Sequence, residues 1–589
     1  MGTELGHPTG AITTAAGGPL VAENEHSNSS TPAETLDLAP PPTSDEKENS
    51  NCASDEVSPP DAAAAIEDEK QAAKAETTEY PTGFRLASII LALIMGIFLA
   101  SLDMTIVATA IPKITDEFHG LDKVSWYSAA FLMTDGGFQS CWGKAYRYFP
   151  LKSTFLAAIA VFELGSLICA VSPNSTAFIV GRAVNGLGAA GIGTGAYTIV
   201  AFVAEPAKRA TYTGFVGMSF GVACVVGPLI GGVFADKVTW RWCFWINLPI
   251  GGLSALIVLC FFRTPSAAQP VAAPWREKLL QMDPVGVVLV MGAIVAFMLS
   301  LQYGGQTAPW NSSVVIGLLV GFVLITVAFI FWEHFQGERA VIVPRLLKQR
   351  AICISCLFAC IFVGSYYLVV YYIPIYFQSI GNASPTLSGV YNLPLIIATT
   401  ICMIMSGMLI SATGLAVPIE VGGAVLAVIA AGLLYTLDID TGVGKWVGYQ
   451  LLAGIGWGLA FQIPIIVGQA SAQPEDISSV TAMVLFFQCV GGSAFVTAAQ
   501  AAFVNRLVHT LPTTAPDVDP AKVVATGATM IRVVFSDNQV PGIVIAYMVG
   551  IKVALAISIG GAGLGLVICL FSKWIRLKSE TAKDAAVAV

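Results

Sequence analysis

Gly221-Val-Ala-Cys-Val-Val-Gly-Pro-Leu-Ile-Gly-Gly232, running on into Trp240-Arg-Trp-Cys-Phe-Trp-Ile-Asn-Leu-Pro-Ile-Gly-Gly252, is the most informative stretch of this chain. Its glycines lie within an apolar run, where small residues let helix backbones approach closely. The Gly227-Pro228 pair removes a backbone donor and invites a bend. A helix of this kind belongs in a tightly packed membrane bundle.

Composition extends that reading to the whole chain. Of 589 residues, 55% are hydrophobic and only 12% charged, with a mean hydropathy of +0.73. Apolar runs of about twenty residues recur, each long enough to cross a hydrocarbon core of about 30 Å. In lipid, backbone polar groups must be satisfied internally, so closed helices are expected. A soluble enzyme is excluded as the leading idea.

Charge divides the chain. Residues 1–84 hold sixteen Asp or Glu against three Lys and have no sustained apolar period, so they read as a disordered acidic cytosolic tail. The remainder is mildly basic. Hydropathy places spans near 86–111, 125–146, 153–171, 177–203, 210–235 and 241–262, which form a six-helix unit over 85–262. A cytosolic linker at 263–284 follows, then spans near 285–304 and 313–333 that read as an insertion over 285–335. Six more lie near 351–376, 386–411, 418–437, 447–470, 478–504 and 542–572, within a unit at 336–573 that ends in a cytosolic tail at 574–589. The total is fourteen spans. About twenty basic residues fall on the inner side and about eight on the outer when both termini are cytosolic, which favours that orientation. The longest outer loop is then 505–541. The sequons at Asn382 and Asn311 fall outside, where glycosylation is permitted.

Most of the twelve cysteines sit in apolar runs and read as small buried hydrophobes. No metal site or cofactor is expected. Metal-ligand helix pairs, nucleophile elbows and phosphate-binding loops are not found, so neither an enzyme nor an ATP-driven pump is favoured, and nucleic acid is not an expected partner.

The ionisable residues inside apolar spans are Asp103, Asp135, Glu163, Arg182 and Lys552. With a central charge costing roughly 2.5–3.5 kcal/mol on insertion scales, each is a functional candidate. A buried carboxylate can load and release a proton as its surroundings change. Arg182 keeps its charge and can bias a neighbouring acid. Asp103 and Arg182 are the leading pair for proton coupling, with Glu163 and Asp135 as further candidates; the competing role for each is structural hydrogen bonding between helices or lining of a hydrated crevice. Lys552 reads as snorkelling outward.

The opening stretch resembles the antiporter motif of major facilitator exporters at Gly221, Gly227, Pro228, Gly231 and Gly232. Its continuation through Trp242, Phe244, Asn247, Leu248 and Pro249 looks like the fourteen-span drug:proton antiporter branch. Leu102-Asp-Met-Thr-Ile-Val-Ala-Thr-Ala-Ile-Pro112 resembles that branch's first-span motif. Arg182-Ala-Val-Asn-Gly-Leu-Gly-Ala-Ala190 is similar to the fourth-span motif associated with proton transfer. The loop Gly143-Lys-Ala-Tyr-Arg-Tyr-Phe-Pro-Leu-Lys152 departs from the superfamily pattern: Gly143 and Lys152 remain, Lys144 fits a fungal variant, and Arg147 stands where an Asp latches the inner gate. The fold implied is all-α, two six-helix bundles flanking a midplane cavity plus two inserted helices. The resemblance covers roughly residues 83–578 and is nearest to fungal pumps for mycotoxins and drugs. It implies a proton-coupled exporter of small hydrophobic compounds, working as a monomer in the plasma membrane, with a vacuolar location open. Gly454–Gln462, Gln469 and Phe486–Gly492 look like cavity-facing stretches. The candidate substrate residues are Tyr367, Tyr371, Gln378, Gln462, Phe487 and Gln488, whose aromatic faces and sparse polar groups suit apolar organic molecules. Two rival readings stay open: a proton-coupled importer of a siderophore or nutrient, and a membrane sensor.

Overall fold

Close approach between backbones sets this architecture. The structure, a computed structural model, describes residues 80–118, 124–265, 268–305, 308–574 and 576. The acidic stretch of residues 1–79 and the end of the C-terminal tail lie outside the described residues. Among those described, fourteen long helices run in order: α1 Gly83–Phe118, α2 Val124–Tyr148, α3 Leu151–Val171, α4 Ser175–Val203, α5 Arg209–Lys237, α6 Trp242–Phe261, α7 Pro284–Tyr303, α8 Ser313–Gln336, α9 Arg350–Ser379, α10 Leu393–Thr413, α11 Val417–Tyr435, α12 Val443–Ala470, α13 Ile477–Thr514 and α14 Val540–Leu570. Thirteen helices are long and apolar enough to cross a membrane. The exception, α2, is 25 residues long but carries Asp135, Gln139, Lys144 and Arg147. The end where α1 begins and α14 finishes is here the near end, its opposite the far end.

Glycine decides which helices meet. In α4, a Cβ at Gly188 would collide with the Phe162 backbone of α3, at Gly191 with Ala158 and Trp142, and at Gly186 with the Phe131 carbonyl of α2. α4 is therefore wedged between α2 and α3, with most of its residues buried. In α5, Gly214 and Gly221 admit Met403 and Thr400 of α10, Gly217 admits Gln462 of α12, and Gly227 admits Thr105 of α1. Thr105 also donates to the Ala223 carbonyl at 3.1 Å. Helix α5 runs through Pro228 without interruption.

α7 lies on α2 and α13, and α8 lies on α7 with most of its surface outward. The inserted pair thus sits at the seam where α2 meets α13. Its approach segment is not a plain linker, since Trp275–Leu280 is helical and Lys278 Nζ donates to the Tyr148 carbonyl at 2.9 Å.

Several ends differ from the hydropathy reading. α1 extends to Phe118 because polar residues after Pro112 continue the helix and Glu117 is held by Trp240 Nε1 at 2.7 Å and Arg241 at 2.8 Å. Burial raises the Glu117 pKa, but these two donors outweigh it and the net value lies below the usual one. The span expected at 386–411 is divided at Asn392 into Pro385–Tyr391 and α10, where Pro394 supplies no donor. α13 runs ten residues past its expected end, and the supposed loop at 505–541 also holds the helices Pro520–Thr526 and Ile531–Val534. Lys552 reaches outward to the exposed Asp438 carboxylate, with which it pairs at 2.9 Å. Asn382 and Asn311 are both exposed at the far end.

The α3–α4 contact gives a direct test. Gly188→Ala must push against backbone, so thermal unfolding in detergent should show a loss of about 1–3 kcal/mol. Gly252→Ala, whose added methyl meets nothing within 4 Å, should be neutral; equal losses at the two sites would contradict the close approach.

Candidate functional site

Within the first six helices, Asp103 and Arg182 form a buried ion pair, Arg182 Nη1 to Asp103 Oδ2, with side chains 0% and 1% exposed. Both side chains have further partners. Arg182 Nε donates to the Tyr127 carbonyl at 2.9 Å, and Asn247 Nδ2 donates to Asp103 Oδ1 at 3.1 Å and to Ser166 Oγ at 3.0 Å. The guanidinium also lies over the Phe131 ring, 4.5 Å from its centroid. Five helices therefore converge: α1, α2, α3, α4 and α6. On the far side the layer is roofed by Phe118, Phe178, Trp240 and Phe244, with centroids 5.4–5.7 Å apart in successive edge contacts. Arginine stays charged, so Asp103 is the member of this pair that can exchange a proton. Removing either partner leaves a buried charge unpaired, at about 3–5 kcal/mol.

The other proposed acids stand apart. Glu163, on α3, faces Gly251 of α6 and Leu99 of α1. Asp135, on α2, lies at the seam between the halves: Gln139 Nε2 donates to it at 3.2 Å, and Cys489 Sγ of α13 is 3.7 Å away. Gln139 in turn accepts from Thr194 at 2.6 Å.

The aromatic residues divide sharply by environment. Tyr366 and Tyr372 are buried, with Tyr372 donating to Gln500 at 3.0 Å. Tyr371 is 56% exposed. Tyr367 meets Phe220 of α5 and Phe461 of α12 at centroid distances of 5.7 and 6.4 Å, an aromatic wall spanning both halves. Gln462 donates to Tyr197 Oη at 3.1 Å. Gln378 instead bonds Ser388 at 2.8 Å, while Phe487 lies against Phe486 and Gln488 is buried. The stretch Gly454–Gln462 is chiefly a contact surface: Gly454 and Gly458 lie against α10 and Gly456 against α11.

At the near end, Arg147 of α2 pairs with Asp476, just before α13, at 2.9 Å. Asp476 also holds Arg345 at 3.0 Å, and Arg345 pairs with Glu338 at 2.8 Å. These two carboxylates raise the Arg345 pKa above its ordinary value. Lys144 donates to the Glu338 carbonyl at 2.7 Å, Lys152 to the Leu259 carbonyl at 2.8 Å, and Gly143 leaves room for Ser478 and Ala482. Gln469 reaches the Tyr197 carbonyl at 3.1 Å. Where the superfamily pattern has an Asp, Arg147 thus supplies the cation of an ion pair whose carboxylate comes from the segment before α13.

The sequence profile of the Major Facilitator Superfamily matches residues 93–496. The chain belongs to that superfamily. Among its relatives, the MFS-type transporter grgE of a Penicillium species is 54% identical over 87% of this chain and 91% of its own. The probable efflux pump gsfJ of Penicillium aethiopicum is 50% identical over 87% and 92%, and the MFS-type efflux pump MFS1 of Trichophyton rubrum is 40% identical over 87% and 95%. Among solved structures, the human organic anion transporter MFSD10 aligns with a TM-score of 0.55 at 13% identity, covering 83% of this chain and all of that one. The proton:xylose symporter XylE aligns at 0.52 and 13%, covering 84% and 98%. At that identity the likeness shows the major facilitator fold alone.

Sequence reading of this facilitator missed Asp476 and Glu338 as partners of Arg147 and Arg345. Gln473-Pro-Glu-Asp476 looks like any acidic lead into a helix, and only its approach to Arg147 reveals the tie. It also passed over Glu333, whose carboxylate accepts from the Val341 and Ile342 amides at 3.2 and 2.7 Å, and Glu420, buried beside Ser572. Both sit at helix ends, where an acid draws no notice.

A double-mutant cycle tests the latch. Arg147→Ala and Asp476→Ala should each lower the unfolding midpoint in detergent, and the pair should lose less than the sum, with a coupling of about 0.5–3 kcal/mol. Strictly additive losses would show that the two side chains do not interact.

Proposed function

We propose that this facilitator is a proton-coupled efflux pump that exports small hydrophobic organic compounds by alternating access. The observation that carries the proposal is the Asp103–Arg182 pair, a single titratable acid held against a permanent cation in the interior of the first bundle. Relatives at 40–50% identity whose names say efflux pump support the direction of transport.

In this reading the near end is cytosolic, because Arg85, Lys144, Arg147, Lys152, Lys208, Arg209, Lys348 and Arg350 gather there. The Arg147–Asp476–Arg345 latch and the Gln462 and Gln469 bonds to Tyr197 then hold the halves together on the cytosolic side. Substrate rests against Phe220, Tyr367, Phe461 and Tyr371, whose apolar faces bind organic molecules without strict geometry. A proton reaching Asp103 neutralises it, loosens its bonds to Arg182 and Asn247, and changes how α1, α4 and α6 fit together. The latch opens, the proton leaves toward the cytosol, and the restored carboxylate again clamps Arg182. Each proton moving down a potential contributes about 2.3 kcal/mol per 100 mV. Asp135, on the seam, responds to substrate and to the approach of α13. The protein works as a monomer in the plasma membrane with both termini in the cytosol, and Asn382 and Asn311 face the outside.

Acid-loaded inside-out vesicles provide the test. Adding drugs from a panel should release protons from the lumen and drive drug uptake in wild type. Asp103→Asn should bind drug yet give no release above vesicle background, and Arg182→Ala should lose coupling likewise. No drug-evoked proton movement in well-folded wild type would sink the mechanism and favour a proton-coupled importer or a sensor.

A further inference from the structure

The Asp103–Arg182 layer and the one a helical turn nearer the near end hold polar groups with no hydrogen-bond partner among the described residues. Both carboxylate oxygens of Glu163 are buried and unbonded, as are Nδ2 and Oδ1 of Asn185 and Oδ1 of Asn247. Asn185 and Asn247 are each 0% exposed. Buried polar groups are bonded as a rule, and leaving one unmet costs about 1–3 kcal/mol. Five such atoms gathered beside the coupling pair need an account other than accident.

Helix direction fixes their order. α1 and α3 ascend from the near end, while α4 and α6 descend toward it. From Asp103 the next turn of α1 toward the near end carries Leu99. From Asn247 the next turn of α6 carries Gly251, and from Arg182 the next turn of α4 carries Asn185. From Ser166 the next turn of α3 carries Glu163. Contacts agree: the Glu163 carboxyl lies where a Cβ on Gly251 would, next to Leu99, and Gly165 leaves room for the Asn185 backbone. The titratable groups around Asp103 on its other side are Cys169 of α3 and Cys243 of α6, with Tyr127 of α2 bonded to Ser175 at 2.8 Å. Of the charged groups in this part of the bundle, Asp103 and Arg182 lie above Glu163, and Gly251 of α6 and Leu99 of α1 face it without charge.

We propose that Glu163 is the release station for the coupled proton, with Asn185 and Asn247 holding the water that connects it to Asp103. This inference rests on the proton-coupling reading above. The O–H bond of protonated Asp103 breaks, its proton passes to a bound water, and that water gives a proton to a Glu163 oxygen. Asp103 is left as the carboxylate that clamps Arg182, and Glu163 is neutral until it releases the proton toward the near end. Such chains need sites of two to four polar partners for each water, which the orphaned amides and Ser166 supply. The path runs inside the first bundle, separate from the aromatic wall formed with the second half. Proton and substrate therefore travel by different routes.

The test uses the full chain in proteoliposomes, with drugs that evoke proton release in the vesicle assay. Glu163→Gln should slow drug-evoked proton release by ~10-fold or more, while drug-for-drug exchange, which needs no net proton movement, stays at the wild-type rate. Glu163→Asp, which keeps the carboxyl with a shorter reach, should restore part of the rate. In pH-jump infrared difference spectra, wild type should show a protonated-carboxyl band that Glu163→Gln lacks and Glu163→Asp shifts. Should the Gln variant fail to insert, the Asp variant's shifted band and intermediate rate decide the matter. Wild-type proton release in Glu163→Gln, or the absence of its band from wild type, would overturn the relay while leaving coupling at Asp103 intact. A wild type that moves no protons would overturn both.

Discussion

A fixed positive charge in a low-dielectric interior has to be met by a negative one, and Arg182 is met by Asp103. Much of the first bundle is arranged around that requirement. α1 and α4 must bring the two side chains together, and the glycines of α4 permit the necessary closeness by admitting α2 and α3 without side chains between. α6 is drawn in through Asn247, and the Tyr127 carbonyl is recruited from α2. The aromatic roof of Phe118, Phe178, Trp240 and Phe244 keeps the far side dry, so the attraction is not weakened by solvent. The Trp240-Arg-Trp segment thus serves the pair by closing its lid, and Arg241 fastens the lid to Glu117 and to the Ser172 carbonyl.

The near end solves a different problem, that of joining the two halves through side chains alone. Arg147, Asp476, Arg345 and Glu338 alternate in sign along one line. Because Arg345 and Glu338 lie in the segment that leaves α8, the inserted pair is joined to the same line as the two halves. Lys144 strengthens the junction through Gln281 and the Glu338 carbonyl. The insertion is thereby tied to both halves at the near end as well as filling the seam.

Much of this was legible in the sequence. Run length and hydropathy give the helices, and the motif at Gly221–Gly232 points to the fold. The intramembrane charges at Asp103 and Arg182 stand out because they are costly there. What escaped shares one property: its meaning depends on a partner far away in the chain. Asp476 is ordinary until Arg147 is beside it, 329 positions earlier. Glycines of α12 that look cavity-facing prove to be contact points with α10 and α11, since periodicity tells which residues share a face and not what that face meets. The tyrosines of α9 were indistinguishable by type, and burial alone separates Tyr366 and Tyr372 from Tyr371.

Helix α9 also contains a widened turn at Ala359–Val363, where Gly491 of α13 approaches the Cys360 carbonyl. A π turn spends one extra residue without adding a full turn. Each residue of an α-helix advances the side-chain direction by about 100°, so this one insertion sets the azimuth of everything after it. Tyr367 and Tyr371 point where they do partly because of a count of residues eight or more positions upstream of Tyr371, and Cys353 and Cys356 no longer share a strict helical phase with them. Length, more than chemical identity, is what the geometry of this segment depends on: a substitution within it alters a contact, whereas a single-residue deletion would turn the aromatic face of α9 about a quarter of the way around the helix.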